Sequence, residues 1–129
     1  MTTGLIALVV VLVVGWWWMN RPARGVEQLA AETLETWKKQ EKGRLIVDVR
    51  EAHEFRSGHV PGAVNVPLSR LSRELHRIPK DREVALICRS GHRSVQAARI
   101  LKKAGYTRLW NVRGGMIAWN RRPHSKRSR

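Results

Sequence analysis

The chain has 129 residues, which is enough for one domain and a short appendage. It carries 25 Lys and Arg against 10 Asp and Glu, so its formal net charge is +15. A charge of this size suggests nucleic-acid binding, but the basic residues are spread along the chain, and the basic C-terminal segment has no aromatic side chain on which bases stack. We therefore expect no nucleic-acid partner.

The N-terminal segment is apolar. Residues 1–19 contain no charged side chain and end in three consecutive tryptophans, 16–18. As a helix the segment is about 28 Å long, close to the roughly 30 Å of a bilayer core, and it lacks the charged start and cleavage site of a signal peptide. The sequence predicts a transmembrane anchor over 1–19 that contacts the lipid bilayer through residues 4–19. Because Arg21 and Arg24 follow it, we expect a single-pass membrane protein with its domain in the cytoplasm.

Composition divides the rest of the chain into three parts. Residues 20–25 read as a linker, residues 26–120 as the folded domain, and residues 121–129 as a basic, disordered tail. Near a bilayer the tail is either attracted to anionic lipid or serves only solubility, and the sequence favours neither.

Hydrophobic patterning predicts alternating strands and helices. The first half gives a helix from 26 to about 41, a strand over 45–49, a polar helical turn over 51–56 and a short strand over 63–66. The second half gives a helix over 68–78, a buried strand over 84–87, a helix over 92–103, a strand over 109–112 and a short helix near 116–119. This alternation predicts an α/β fold with a small parallel sheet flanked by helices, preceded by one transmembrane helix.

Cys88 is the only cysteine and follows the most apolar strand. The next six residues are Arg89-Ser90-Gly91-His92-Arg93-Ser94, after which a helix begins. Backbone N–H groups at a helix N-terminus, together with two arginines, favour a thiolate. On residue type alone, a buried and inert cysteine is equally common. The Gly, Ser and Arg content of the loop favours a reactive thiol in an anion-binding cradle.

Three separated stretches resemble the rhodanese family in its single-domain form, over about residues 26–120. They are Asp48-Val49-Arg50 with Glu54-Phe55 and the run from Gly58 to Pro67, the loop from Cys88 to Ser94, and Val112-Arg113-Gly114-Gly115 before Trp119. The resemblance implies a parallel sheet flanked by helices, and transfer of a sulfane sulfur through a cysteine persulfide. We expect no cofactor, and no metal either, because no second histidine or carboxylate stands at metal spacing from His59.

The resemblance also implies roles for individual residues. Cys88 matches the nucleophile, and the loop from Arg89 to Arg93 matches the segment whose amides surround the bound sulfur or anion. Arg89 is expected to contact substrate, whereas Arg93 either contacts substrate or supports the loop. Ser94 hydrogen-bonds the thiolate or caps the helix.

Four other residues are expected to act as scaffold. His92 is expected to shape the loop, and His59 to make a structural hydrogen bond. Asp48 and Arg50 are expected to support the site by pairing with neighbours, with Arg50 also able to add positive potential.

The expected substrate is a small sulfur-containing anion such as thiosulfate, a persulfide or a polysulfide. With one cysteine, the sulfur must pass to an outside thiol or to cyanide. One alternative is a membrane-anchored, non-catalytic rhodanese-like binding module. Another is a phosphatase or arsenate reductase of the same fold, but those enzymes place five residues between Cys and Arg, where this chain has four between Cys88 and Arg93.

Overall fold

The computed structural model describes residues 2–20 and 26–123. Five parallel strands form one sheet in the order β1-β5-β4-β2-β3. The strands are β1 Val26–Ala30, β2 Leu45–Asp48, β3 Val64–Asn65, β4 Val84–Ile87 and β5 Leu109–Arg113. The helices are α1 Thr2–Asn20, α2 Leu34–Gln40, α3 Ala52–Arg56, α4 His92–Lys103 and α5 Gly115–Asn120. This confirms the predicted α/β class with a parallel sheet flanked by helices.

The central strand, β4, is apolar throughout because both faces of the sheet are covered. All four of its residues are buried. Its side chains alternate between two cores. Val84 and Leu86 pack with α4, and Ala85 and Ile87 pack on the other face with residues of α2 and α5. Cys88, which follows this strand, lies on the α4 side.

The predicted helix over 26–41 is wrong in its first part. Val26–Ala30 is a strand that pairs with β5, in register from Val26 opposite Leu109 to Ala30 opposite Arg113. A 3₁₀ turn over Ala31–Thr33 then leads into α2. The apolar spacing of this segment suits a helix, but its backbone hydrogen bonds go to a strand far along the chain, and such non-local pairing overrides local propensity.

The predicted helix over 68–78 is also wrong. The segment forms two 3₁₀ turns, Leu68–Arg73 and Leu75–Arg77. In an α-helix the carbonyl of Leu75 would accept the N–H of residue 79, but residue 79 is a proline and has none. That carbonyl instead accepts the N–H of Ile78 at 3.0 Å and the hydroxyl of Tyr106 at 3.0 Å.

The N-terminal segment forms helix α1, Thr2–Asn20, but this helix does not support the predicted transmembrane anchor over 1–19. Within the described ranges, no helix combines the length and the apolar character needed to cross a bilayer. The aliphatic run over 5–14 spans only about 15 Å at 1.5 Å per residue, about half of the hydrocarbon core, and the tryptophans beyond it suit an interface. The predicted linker, apart from Asn20, and tail residues 124–129 lie outside the described residues.

Candidate active site

Cys88 lies at the carboxyl end of the central strand, directly before the loop that leads into α4. This is the edge of a parallel α/β sheet at which ligands bind. The cysteine is 1% exposed, so a reagent meets its sulfur at the floor of the loop and not on an open surface.

Two polar groups contact the sulfur from within the loop. The backbone N–H of Gly91 donates to Cys88 Sγ at 3.0 Å, and Sγ lies 3.4 Å from Ser94 Oγ. Gly91 has a φ of +108°, which an L side chain rarely adopts, so glycine permits the bend that aims its amide at the sulfur. Ser94 itself is fully buried. Its contact with the sulfur fits the first of the two roles expected for it.

The outer side of the loop is held by the start of α5. The N–H of Met116 donates to the carbonyl of Cys88 at 2.8 Å, and the N–H of Ile117 donates to that of Arg89 at 3.1 Å. In a trans peptide the N–H points opposite to the C=O, so the N–H groups of Arg89 and Ser90 point away from α5. The sequence showed Gly114 and Gly115 only as a turn, and this role of α5 was not predicted.

Arg93 is bound to α3. Its guanidinium makes two hydrogen bonds to the carboxylate of Glu54, at 2.6 and 2.9 Å. These bonds, more than any other interaction, lower the pKa of Glu54 to about 2, against the opposing effect of burial, and they raise the pKa of Arg93. The geometry therefore favours the supporting role for Arg93 over substrate contact.

The mouth of the loop carries Arg89, Ser90 and His92, all exposed. Arg89 is the cation of this group, and its side chain makes no hydrogen bond or ion pair to any residue in the described part of the chain. Its guanidinium is therefore available to an incoming anion, as the sequence predicts for a substrate contact.

Asp48 and Arg50 form a buried pair at the end of β2. Arg50 Nε donates to Asp48 Oδ1 at 3.0 Å, and its Nη2 donates to Asp48 Oδ2 at 2.7 Å and to the carbonyl of Gly58 at 2.8 Å. Because Asp48 offsets its charge, Arg50 acts mainly as a clamp on the segment around Gly58. His59 Nδ1 lies 2.9 Å from the carbonyl oxygen of Phe55, a hydrogen bond of the structural kind expected, and its ring also stacks on Phe55 at 3.7 Å between centroids.

Two residues that the sequence analysis missed extend the polar contacts of the sulfur. Ser94 Oγ donates to Asn111 Oδ1 at 2.5 Å, and Asn111 Nδ2 donates to Gln28 Oε1 at 3.1 Å. The available signal was a lone asparagine inside the apolar strand over 109–112. Gln28 could not be identified because its strand was predicted as a helix. Residues 2–20 and 26–123 contain no cluster of three or more His, Cys, Asp or Glu able to hold a metal ion.

Comparison with known proteins agrees with this geometry. A model of the rhodanese-like domain matches residues 31–122. The chain belongs to the rhodanese-like family. A protein from Allochromatium vinosum named sulfurtransferase is 40% identical over 96 residues, covering 74% of this chain and 90% of its own length. A putative sulfurtransferase of Bacillus subtilis, YtwF, is 31% identical, covering 73% and 90%.

Solved structures of rhodanese-like proteins share the fold. A rhodanese-like domain protein from Staphylococcus aureus superimposes with a TM-score of 0.67 at 29% identity, covering 72% of this chain and 90% of its own. A rhodanese-related protein from Thermoplasma volcanium gives 0.64 at 28% identity, covering 75% and 95%. The chain spans only about half, 52%, of another relative, the putative sulfur carrier protein YrkF of Bacillus subtilis.

The contact between α5 and the loop predicts a strong effect of Gly115→Ala. A Cβ at Gly115 would lie 2.2 Å from the carbonyl oxygen of Cys88 and 2.7 Å from the backbone of Arg89, and neither is a flexible side chain. We expect the rate of Cys88 alkylation by iodoacetamide to change by roughly tenfold or more, because the loop must shift. Gly62→Ala is the control, since Gly62 also has a positive φ, +83°, but open space around it. Equal rates in the two variants would contradict this account.

The Arg93–Glu54 pair predicts a pH-dependent stability. The pKa of the Glu54 carboxyl is lowered from 4.5 to about 2 in the folded protein. The ion pair therefore stabilises the fold fully above about pH 4.5, and this stabilisation is lost as the pH falls towards 2. We expect Glu54→Gln to lower the free energy of unfolding by about 2 kcal/mol at pH 7 and by little at pH 2. The value at pH 7 is smaller than the pKa shift alone implies, because solvent screens the partly exposed pair.

Denaturant unfolding at both pH values measures this difference. Glu74→Gln is the matched control, since Glu74 forms a single surface ion pair with Arg77 at 3.0 Å. We expect its effect to stay below about 1 kcal/mol. A Glu54→Gln effect that is the same at pH 2 as at pH 7 would rule out the ion pair as its source.

Proposed function

We propose that the protein is a sulfurtransferase that accepts a sulfane sulfur on Cys88 as a persulfide and passes it to an outside acceptor. The observation that carries this proposal is the environment of the sulfur. The N–H of Gly91 donates to Sγ at 3.0 Å at the floor of a loop whose mouth holds Arg89, which has no side-chain partner among the described residues. Relatives named sulfurtransferases support the same chemistry.

The reaction has two displacements. The Cys88 thiolate attacks the outer sulfur of a donor such as thiosulfate; the S–S bond of the donor breaks, and sulfite leaves with the bonding electron pair. An acceptor thiolate or cyanide then attacks the outer sulfur of the persulfide and restores the Cys88 thiolate. The first step brings two anions together, so Arg89 and the loop amides stabilise it by offsetting the charge. The acceptor is external because the chain has one cysteine.

The alternatives fit the site less well. A phosphatase or arsenate reductase must surround a tetrahedral oxyanion, but this loop has four residues between Cys88 and Arg93, and Arg93 is bound to Glu54. A non-catalytic binding module does not need an amide aimed at a sulfur. The geometry therefore favours transfer of a single sulfur atom.

Mass spectrometry of the purified protein tests the proposal. After incubation with thiosulfate we expect Cys88 to gain about 32 Da, the mass of one sulfur, and cyanide to remove it. Cys88→Ala is the negative control. Polysulfide serves as a second donor. A Cys88 that is modified by polysulfide but not by thiosulfate would show that the protein transfers sulfur but does not use thiosulfate. A thiol that stays unmodified with both donors would exclude the proposal.

We also propose that α1 attaches the domain to a lipid surface on its cytoplasmic side. Its aliphatic side chains are exposed all around the helix, from 49% at Val14 to 66% at Val11. Apolar surface of this extent is unfavourable in water, and lipid would cover it. The arginines at 21 and 24, directly after the helix, favour the cytoplasmic side.

Flotation of the full chain with phospholipid vesicles tests the attachment. We expect the protein to float with the vesicles and the double variant Val9→Asp, Leu12→Asp to remain behind, because two carboxylates in the apolar run oppose burial in lipid. Thr3→Asp, near the N-terminal end of α1 and outside the aliphatic run, is the control. Vesicles made only of neutral lipid distinguish binding through α1 from electrostatic attraction of the basic tail to anionic lipid. A wild-type chain that stays unbound on both neutral and anionic vesicles would refute the attachment.

A further inference from the structure

A chain of hydrogen-bonded side chains leads from the sulfur of Cys88 to the edge of the sheet. Sγ donates to Ser94 Oγ at 3.4 Å, Ser94 Oγ donates to Asn111 Oδ1 at 2.5 Å, and Asn111 Nδ2 donates to Gln28 Oε1 at 3.1 Å. Ser94 and Asn111 are buried, with 0% and 5% of their surface exposed. Gln28 is exposed on the edge strand β1. The chain thus connects a buried nucleophile to the solvent.

The direction of these hydrogen bonds matches a protonated sulfur. A hydroxyl has one proton to donate, and Ser94 directs it to Asn111 Oδ1, with the carbonyl of Gly91 at 3.0 Å as a second acceptor. After Sγ has lost its proton to solvent, the sulfur requires donors instead. Ser94 can then donate to Sγ only by turning its single proton away from both oxygens.

Turning that proton leaves Ser94 Oγ and Asn111 Oδ1 facing each other with no hydrogen between them. Rotating the Asn111 amide by half a turn corrects this, because Nδ2 then donates to Ser94 Oγ. Gln28 is exposed and can turn in the same way, so that its Nε2 donates to Asn111 Oδ1. Since each amide carries both donors and an acceptor, the chain has one complete arrangement for the thiol and another for the sulfur anion.

We propose that Asn111 and Gln28 are positioning residues that set the direction of the Ser94 hydroxyl and so stabilise the thiolate form of Cys88. The inference builds on the proposed function of Cys88, but it concerns the ionisation of the sulfur and is measured without any sulfur donor.

Charged groups on the neighbouring elements also act on this sulfur and must stay constant in the test. They include Arg89, His92 and Arg93 of the loop, His53, Glu54 and Arg56 of α3, Asp48 and Arg50 at the end of β2, and Arg113 at the end of β5. The positioning residues are uncharged, and the variants below leave every one of these groups in place. A change in the titration of Cys88 is therefore attributable to the substituted position.

The pH dependence of Cys88 alkylation by iodoacetamide in the full chain is the measurement. A carboxylate only accepts hydrogen bonds, so Asn111→Asp keeps the Ser94 proton away from Sγ. We expect the midpoint to rise by about one pH unit, which is a roughly tenfold slower reaction below the midpoint. In a Ser94→Ala background the same substitution is expected to slow the reaction clearly less, because the connecting hydroxyl is gone and only the repulsion between the new carboxylate and the thiolate is left.

Gln28→Glu provides a second variant, because its exposed position tolerates substitution. The new carboxylate accepts a hydrogen bond from Asn111 Nδ2 and so keeps Asn111 Oδ1 facing Ser94. We expect alkylation at neutral pH to be about threefold slower, and this effect to persist in 0.5 M salt, which screens a purely electrostatic effect. Gln96→Glu, on the exposed face of α4, adds the same charge away from the chain and is the matched control. The inference is overturned if Gln28→Glu and Gln96→Glu have equal effects, or if either proposed substitution acts equally with and without Ser94. Failure of persulfide formation in the wild type, with these shifts present, would instead reject only the proposed function.

Discussion

The site depends on one contact, in which the first turn of α5 binds the backbone of the cysteine loop. The amides of Met116 and Ile117 bind the carbonyls of Cys88 and Arg89, and Gly115 allows the two backbones to approach. This orients two peptide planes of the loop, so that their N–H groups face away from α5. Without this contact, the loop between β4 and α4 would lose the support that orients its amides.

Ion pairing decides which arginines are available to a substrate. Arg93 is bound to Glu54 and Arg50 to Asp48, so each strengthens the frame of the site and carries an offset charge. Arg89 has no such partner within the described residues, and it lies at the mouth of the loop. The basic composition of the chain therefore overstates the positive charge that an anion meets at the sulfur. What it does meet includes the guanidinium of Arg89 and the oriented loop amides.

The central strands and the edge strand β3 could be predicted from the sequence, but the other edge strand, β1, could not. The apolar run before Cys88 identified the central strand correctly because a strand covered on both faces needs apolar residues throughout. Val26–Ala30, at the edge of the sheet, fits a helix equally well in its apolar spacing and becomes a strand only by pairing with β5. The segment 68–78 has helical spacing too, but Pro79 removes an N–H that an α-helix would need there. The apolar N-terminal segment is helical but does not provide the predicted membrane span.

The sequence by itself identified the candidate nucleophile and its loop, because a lone cysteine, the loop composition and the loop length are local properties. It also determined the family, since the motifs that carry the resemblance are contiguous stretches. Only the tertiary structure decided how the loop is held and which side chains extend the contacts of its sulfur. In the folded protein Arg93 pairs with Glu54, and the first turn of α5 binds the carbonyls of Cys88 and Arg89. Asn111 binds Ser94, and Gln28 binds Asn111. These contacts join elements distant in sequence, and their geometry exists only once the parallel strands have paired.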